Sequence, residues 1–362
     1  MNECKFSTFT LVFILILSLT ACSNNSVITA LPMVSETAES DATTNPIAAI
    51  AEYDLIEIPL PKELASASME YSGLAWYDDD LVLLPQFPNG IRGNQDGFLY
   101  SISRDSLEEF LKDPPTTILT NEIPFDDAGL SKQLDGFEGF EAILFIKNSV
   151  YLTIETHGGN PMKSFVVRGA VEIAENEIKG IKLDQTSLVE LPVQNDNSNA
   201  SYEALTSDGE YVYAFFEQNG EVQNGHPYAV RLDTDLKNWK EIPVDAVNYR
   251  LTDATLMDDD GGFWMINYFY PGDKNLAVDE DPISTRYGLG ESHQRNKPIE
   301  RLVRFSLSQE RFVLDSVPPI YLKLLEQDEA RNWEGLATFD ENGFLLITDK
   351  FPDSILGFIK IR

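Results

Sequence analysis

Five short segments of the chain each carry one polar residue followed by Gly or Ala, just ahead of an apolar run. These polar residues are Ser72, Glu141, Glu203, Asp253 and Glu334. A second polar residue follows 14 positions after each of the first four and 15 positions after the fifth: Gln86, Glu155, Glu217, Asn267 and Asp349. Because residues equidistant from a hairpin turn face each other, each segment predicts a hairpin that brings two polar side chains together.

The first of these two sets would form a crowded acidic ring if the hairpins surround one axis. Two unit charges about 5 Å apart repel by ~3 kcal/mol at an effective dielectric near 20. No Lys or Arg stands at the corresponding positions of the five hairpins. A hard cation would compensate the ring, and an irregular all-oxygen site favours Ca²⁺. The alternative is that each side chain is hydrogen-bonded separately to neighbouring strand ends.

We therefore expect Ca²⁺ as a cofactor, with one ligand from each hairpin. The expected ligands are Ser72, Glu141, Glu203, Asp253 and Glu334. Carboxylates of the second set would lie beside the ion and act in catalysis as bases for an attacking water. The expected catalytic residues are Glu155, Glu217 and Asp349.

Basic and amide side chains follow the second strand of each predicted hairpin. The expected substrate-binding residues are Arg92, His157, His226, His293, Lys350, Gln86 and Asn267. In an otherwise very acidic chain, this set favours a small anionic substrate held above a cation. The alternative is that long loops simply collect polar residues.

The elements that must position these residues are strands. Each hairpin is followed by a third apolar run, and four of the five units have a plausible fourth. Four-stranded units without helical crossovers predict an all-β single β-propeller, with five blades favoured, six possible, and a β-sandwich as the alternative. The last unit lacks its fourth strand, so we expect residues 53–60 to pair with it and close the ring.

The motifs also resemble known calcium-centred propellers. Tyr71-Ser72-Gly73-Leu74 is similar to the soluble calcium-activated nucleotidase (apyrase) family, and Trp333-Glu334-Gly335-Leu336 with Asp349 resembles gluconolactonase and phytase-like esterase propellers. The resemblance implies a five-bladed fold with an axial Ca²⁺. At Pro85-Gln86-Phe87 the chain departs from an acidic segment of the apyrase family, so the resemblance implies the fold and the metal but leaves nucleotide hydrolysis open.

The N-terminal region reads as an export and attachment signal. Residues 11–19 form an apolar run too short to span a bilayer, and Leu19-Thr20-Ala21-Cys22 resembles a bacterial lipobox. We expect a signal peptide at 1–21, lipidation of Cys22, a flexible tether at 22–51 and the propeller at 52–362. Membrane contact would be through the lipid anchor only, in the extracytoplasmic cell envelope.

Charge limits the classes of partner. The chain has 59 acidic and 27 basic residues and a formal net charge of −32, which disfavours nucleic acid. The leading hypothesis is a tethered Ca²⁺-dependent hydrolase of phosphoesters, phosphoanhydrides or esters; the alternative is a non-catalytic binding or scaffold propeller with a structural ion. The loop at 268–299 would distinguish them by folding over the mouth or outward. The oligomeric state is left open.

Overall fold

The computed structural model describes residues 50–361, apart from 91, 92, 94, 115–117, 158–160, 176 and 198. The described residues fall in one compact unit, Ile47–Arg362. The predicted signal peptide, Cys22, nearly all of the tether and Arg92 lie outside the described residues. No helix in the described part of the chain is long and apolar enough to cross a membrane.

Strands dominate the described residues and form four hydrogen-bonded sheets, which we divide into blades 1 to 5. The nine-stranded sheet contains blades 1 and 2, which are joined where Ile181 pairs in parallel with Phe125. Two short strands precede them, β1 (Glu52–Tyr53) and β2 (Leu55–Ile58). Blade 1 contains β3 to β6 and helix α1 between β5 and β6: Tyr71–Tyr77, Asp80–Pro85, Gly97–Ser103, Asn121–Asp126 and, for α1, Arg104–Lys112. Blade 2 follows helix α2 (Leu130–Gln133) and contains β7 to β11: Phe137–Ile146, Ser149–Thr156, Lys163–Ala174, Glu177–Leu183 and Val189–Leu191.

The remaining blades follow the same inner-to-outer order. Blade 3 contains β12 to β15: Tyr202–Ser207, Tyr211–Phe216, Tyr228–Asp233 and Trp239–Pro243. Blade 4 contains β16 to β20, with helices α3 and α4 between β17 and β18: Arg250–Ala254, Gly262–Phe269, Pro282–Tyr287 (α3), Glu291–Arg295 (α4), Ile299–Ser308, Arg311–Leu314 and Ile320–Leu322. Blade 5 contains β21 to β23: Trp333–Phe339, Gly343–Thr348 and Leu356–Lys360.

The blades close into a ring, which confirms the predicted propeller with five blades over the described residues. Each inner strand (β3, β7, β12, β16 and β21) contacts the inner strands of the blades before and after it, and β21 contacts β3. Strand β2 pairs antiparallel with β23, from Leu55 opposite Ile359 to Ile58 opposite Leu356, as predicted for the closing strand. Tyr53 differs from the prediction, because β1 pairs in parallel with β20 of blade 4.

The core lies between the blades. Successive residues of a strand point to opposite faces, so Leu81 and Leu83 pack towards blade 5 while Val82 and Leu84 pack towards blade 2. One apolar cluster fills each of the five interfaces between neighbouring blades. Both faces of a blade are therefore buried, which is why the strands read as continuous apolar runs.

Small residues are required where the inner strands meet. A Cβ atom at Gly335 would lie 2.6 Å from Cγ2 of Ile347 and 3.0 Å from the backbone of Gly73. A Cβ atom at Gly73 would lie 3.1 Å from Cγ2 of Ile143. The Gly or Ala of the repeated motif thus has a steric cause, since a larger side chain would push the inner strands apart.

A polar clasp fixes the N-terminal strand to blade 4. The Glu52 carboxylate accepts hydrogen bonds from the Ser292 N–H (2.9 Å), the Ser292 hydroxyl (2.8 Å) and Nδ1 of His293 (2.7 Å). His293 Nε2 accepts from the Glu300 N–H at 3.3 Å. With one ring nitrogen donating and the other accepting, the buried His293 ring is held neutral.

Acidification is expected to weaken this clasp. Burial lowers the pKa of His293 below its ordinary 6.5 although Glu52 opposes the shift, so the unfolded chain takes up this proton first as the pH falls. Burial raises the pKa of Glu52, but hydrogen bonds from His293 and Ser292 outweigh it and lower that pKa below 4.5. Both groups therefore contribute stability at neutral pH that is lost on acidification, beginning near pH 6.5 for His293.

Thermal denaturation between pH 7.5 and 5 tests the clasp. We expect the wild-type melting temperature to fall with pH more steeply than that of His293→Gln, which cannot take up the proton. The matched control is His157→Gln, because His157 is exposed and its removal should leave the wild-type pH dependence intact. Equal slopes in wild type and His293→Gln would refute this role for His293.

Candidate active site: an acidic cavity at one mouth of the channel

A β-bulge occurs at the motif residue of all five inner strands. The pairing register shifts at Ser72, Glu141, Glu203 and Glu334, and at Thr252 and Asp253 together in blade 4. A bulge leaves a residue without a partner across the ladder and re-aims its side chain. Near the axis, the bulges therefore free the motif side chains from the usual pattern in which successive residues of a strand point to opposite faces.

The bulges also change which polar residues face each other. Glu155 lies opposite Gly139 rather than Glu141. Backbone hydrogen bonds place Gln86 opposite Glu70, Glu217 opposite Ser201 and Asp349 opposite Asn332, and Asn267 pairs with Leu251. The predicted face-to-face pairs are thus wrong in register: in every hairpin the second polar residue lies opposite the residue two positions before the motif residue.

Three of the five predicted ligands line one cavity at the end of the channel. Glu141, Glu203 and Glu334 share it with Glu155 and Asp349 of the predicted catalytic set. The cavity has a volume of about 580 Å³. Its remaining lining residues are Gln86, Asn199, Arg250, Tyr268, Tyr270, Asp273, Asp328, Glu329, Ala330, Asn332, Lys350, Phe351 and Pro352.

Ser72 and Asp253 are hydrogen-bonded to neighbouring strands, which is the alternative to metal binding given in the sequence analysis. The Ser72 hydroxyl donates to the Phe140 carbonyl at 2.5 Å. The buried Asp253 carboxylate accepts from the N–H groups of Leu336 (2.7 Å) and Ala254 (2.8 Å), which ties blade 4 to blade 5. Neither residue lines the cavity, because the backbone of a neighbouring strand occupies its polar atoms.

Burial and mutual repulsion disfavour charge on the carboxylates of the cavity. Burial raises the pKa of Glu141, and Glu155 adds to the shift. Burial raises the pKa of Glu203 beside Glu217, and that of Glu334 beside Asp349, by the same combination. Burial, reinforced by Glu217, raises the pKa of Glu155 to about 7. Each shift means that the fully ionised cluster is unstable without a compensating positive charge.

Arg250 supplies part of that charge and was not among the predicted site residues. Its Nη1 is paired with Glu217, and its Nε lies 3.0 Å from Oδ2 of Asp273. Burial alone would lower the pKa of Arg250, but Glu217, Glu203 and Asp273 outweigh it and raise that pKa. Arg250 begins β16, three residues before Asp253, so the repeated motif contains no signal for it.

The three predicted catalytic residues have different environments. Glu217 is fully buried, is paired with Arg250 and does not line the cavity. Asp349 lines the cavity, but its Oδ1 accepts from the N–H groups of Lys350 and Phe351 and so holds the loop after β22. Glu155 is the member of the set that combines a cavity position with a pKa near neutrality.

Only two described members of the predicted substrate-binding set line the cavity. Gln86 donates to Glu141 at 2.9 Å, and Lys350 Nζ lies 2.8 Å from Oε2 of Glu70. Asn267 is buried and bonds with the Arg301 side chain and the Arg250 carbonyl, so it supports Arg250 from behind. The three predicted histidines do not line the cavity: His157 and His226 are exposed, and His293 belongs to the clasp with Glu52.

The donor chemistry of the cavity fits a hard cation. Glu203 Oε2 is buried, and no described residue donates a hydrogen bond to it. Among the described residues, eight carboxylates line the cavity against the two cations of Arg250 and Lys350. Within the described part of the chain, no three Asp, Glu, His or Cys side chains are already gathered around one metal position. The residues thus fit an oxygen-ligated ion in kind, and they would have to draw together on binding.

Comparisons with known proteins show similarity of fold only. No model of a known protein family matches the chain, and no curated protein matches its sequence. Similar solved structures include a glucose dehydrogenase (13% identity, 85% of this chain and 99% of that chain, TM-score 0.42). Others are an exo-1,5-α-L-arabinanase from a bovine ruminal metagenomic library (11%, 83% and 95%, 0.47) and the catalytic domain of a Coprinopsis cinerea GH62 α-L-arabinofuranosidase (10%, 86% and 96%, 0.46).

These likenesses are too weak to bear on substrate or reaction. The class of the protein follows from its own strand order: the described residues form a five-bladed β-propeller closed by β2 on β23. Its distinguishing feature is the acidic cavity at one mouth of the channel, lined by Glu141, Glu203 and Glu334.

Proposed function

We propose that this protein is a Ca²⁺-dependent hydrolase of a phosphoester, phosphoanhydride or ester, held outside the cytoplasm by lipid on Cys22. The observation that carries the proposal is the excess of carboxylates in the cavity together with the unpartnered Glu203 Oε2. A buried polar atom without a partner indicates a missing ion or water. Because eight carboxylates face two cations among the described residues of the cavity, a divalent ion compensates the cavity best.

The residues that would hold Ca²⁺ are Glu141, Glu203 and Glu334. When bound, the ion would supply a Lewis acid that polarises a phosphoryl or carbonyl oxygen. Glu155 is the proposed general base, because it lines the cavity beside Glu141 and, unlike Glu217, is not paired with a cation among the described residues. Lys350 and Arg250 line the same cavity, but each is already paired with a carboxylate, so neither is assigned a role in binding the substrate.

The position of the loop at 268–299 favours a pocket over an open docking face. Tyr270 and Asp273, near its start, line the cavity, while Arg301 anchors the later part by pairing with Asp281 at 2.6 Å. The loop thus contributes walls to the cavity. A non-catalytic binding propeller remains the competing function, and turnover separates the two.

Turnover by the purified protein tests this proposal. We expect hydrolysis of at least one member of a panel of nucleotides, phosphomonoesters, phosphodiesters, aryl esters and lactones, with activity lost in chelator and restored by Ca²⁺. Glu155→Gln should lower kcat by roughly 10²–10⁴-fold, the contribution typical of general-base catalysis. The same activity should sediment with membranes from cells and become soluble in Cys22→Ser.

The control for Glu155→Gln is Glu310→Gln. Glu310 is exposed and pairs with Lys240 at 2.6 Å, so the same change in charge is made away from the cavity. Activity should be unchanged in Glu310→Gln. If no panel member is hydrolysed while Ca²⁺ still binds, the binding-propeller function replaces the hydrolase.

A further inference from the structure

Two exposed aromatic side chains stand at the rim of the acidic cavity. Tyr270 is 48% exposed and Phe351 is 57% exposed, and both line the cavity. They come from the loops after β17 and β22, in the neighbouring blades 4 and 5. A cation site needs oxygen ligands, so it does not account for the two rings. Exposed aromatic surface at the edge of a cavity indicates a ligand with a complementary face.

The Tyr270 ring is held in place by its own turn. The Asp273 N–H donates to the Tyr270 carbonyl at 2.9 Å, which closes the turn through Gly272. A Cβ atom at Gly272 would collide with Cε1 of Tyr270, so the ring lies directly against this glycine. The Asp273 carboxylate is fixed in turn by Arg250. The ring is therefore preorganised at the rim and would lose little freedom on binding a ligand.

Two hydrogen bonds hold the backbone of Phe351. Its N–H donates to Oδ1 of Asp349 at 3.0 Å, and its carbonyl accepts from the Asn332 N–H at 3.1 Å. Lys350 Nζ lies 5.9 Å from the centroid of the Phe351 ring, which places a positive charge near this ring in the protein itself. That ammonium is paired with Glu70, so it is already compensated.

The cavity that the rings line carries an excess of carboxylates among the described residues, eight against two cations. Both cations of the cavity are matched by carboxylates, Arg250 by Glu217 and Asp273, and Lys350 by Glu70. Glu329 is exposed at the cavity, and its carboxylate has no partner among the described residues. Aromatic faces that share a cavity with an unpaired carboxylate attract organic cations, because the ring quadrupole and the carboxylate both favour positive charge.

We propose that the substrate carries a quaternary or alkylammonium group, seated on Tyr270 and Phe351 and facing Glu329. This inference rests on the proposed function, since it names the substrate class of the same cavity. The ammonium group would occupy the rim while the ester or phosphoester reaches the carboxylates below. A neutral ring-bearing substrate such as a sugar would use the aromatic faces without needing the charge, so charge is the property to vary.

Binding of choline and of its neutral isostere 3,3-dimethyl-1-butanol tests the inference without turnover. With Ca²⁺ saturating, we expect titration by ligand-observed NMR to show choline bound at least roughly tenfold more tightly than the alcohol. Tyr270→Ala and Phe351→Ala should each weaken choline binding by about three- to tenfold, and Tyr270→Phe should retain it. The matched control is Trp239→Ala, which removes an exposed aromatic on the outer strand of blade 3.

The outcomes separate this inference from the hydrolase proposal. Equal binding of choline and the alcohol, or choline binding unaffected by both alanine substitutions, would overturn the ammonium site even if panel substrates are hydrolysed. Among hydrolysed substrates, p-nitrophenyl phosphorylcholine should have a lower KM than its 3,3-dimethylbutyl isostere. Selective choline binding without any turnover would uphold the ammonium site and count against the hydrolase.

Discussion

Replacing Arg250 with methionine is expected to lower the free energy of unfolding by about 3–5 kcal/mol, because it leaves the buried Glu217 carboxylate without its counter-charge. Glu217 is 0% exposed, and the guanidinium of Arg250 is its charged partner. The methionine side chain keeps much of the volume of the arginine stem, so the effect reports lost charge more than lost packing. Chemical denaturation in a chelating buffer measures it without a contribution from bound metal.

Two variants give this measurement its controls. Arg250→Met with Glu217→Gln removes both charges and should recover a large part of the loss, since no unpaired buried charge remains. Arg311→Met breaks the exposed ion pair with Asp245, whose atoms lie 2.6 Å apart, and should cost less than ~1 kcal/mol. If Arg250→Met is no more costly than Arg311→Met, Arg250 does not compensate the cavity.

The same variant has a defined pH dependence. Without Arg250, the pKa of Glu217 should rise further above its ordinary value than burial already raises it. A carboxyl with a raised folded-state pKa destabilises the protein at high pH, and the penalty shrinks as acid protonates it. The difference in stability between wild type and Arg250→Met should therefore narrow on acidification.

The propeller was predictable from the sequence because its signals are local. Turn residues and apolar runs predict each hairpin, and the Gly or Ala of each motif follows from the tight approach of inner strands, as at Gly335. The closing strand followed from a missing partner in the last blade, and β2 on β23 confirms it. The pairing of Tyr53 in β1 was predicted wrongly, since a strand of two residues carries no signal for the sheet edge with which it will pair.

The registers at the site could not be predicted because bulges leave no periodic trace. The spacing of 14 residues from Glu141 to Glu155 is compatible with facing side chains and with the observed pairing of Glu155 with Gly139. One extra residue in a strand is enough to change the partner. The prediction that Glu141, Glu203 and Glu334 lie close together does not depend on the register, because it follows from which strands are innermost.

Partners from distant parts of the chain were missed for a different reason. His293 binds Glu52, which lies 241 residues earlier, and Arg250 binds Glu217 of the preceding blade. A single sequence contains no signal for such proximity. His293 lies in the clasp rather than at the cavity, because burial next to a carboxylate gives it a structural partner.

Loss of Ca²⁺ binding in Glu203→Gln is the second large effect that we expect. Removing this carboxylate should weaken Ca²⁺ by at least about tenfold, since even partners that only orient metal ligands contribute that much. In the absence of metal, the same substitution should raise the melting temperature, because it relieves repulsion from Glu217 and Glu334. If Glu203 were held only by structural hydrogen bonds, Glu203→Gln would instead lower the melting temperature of the metal-free protein.

Calorimetric titration of Ca²⁺ into the metal-free protein tests the central claim most directly. We predict a saturable site in the wild type, a weakened site in Glu203→Gln and Glu334→Gln, and an unchanged site in Glu310→Gln, which alters charge away from the cavity. Saturation should also stabilise the wild type, by ~4 kcal/mol at a thousandfold excess over Kd. Absence of binding to the wild type, or equal binding in all three variants, would contradict a calcium site at the mouth of this propeller.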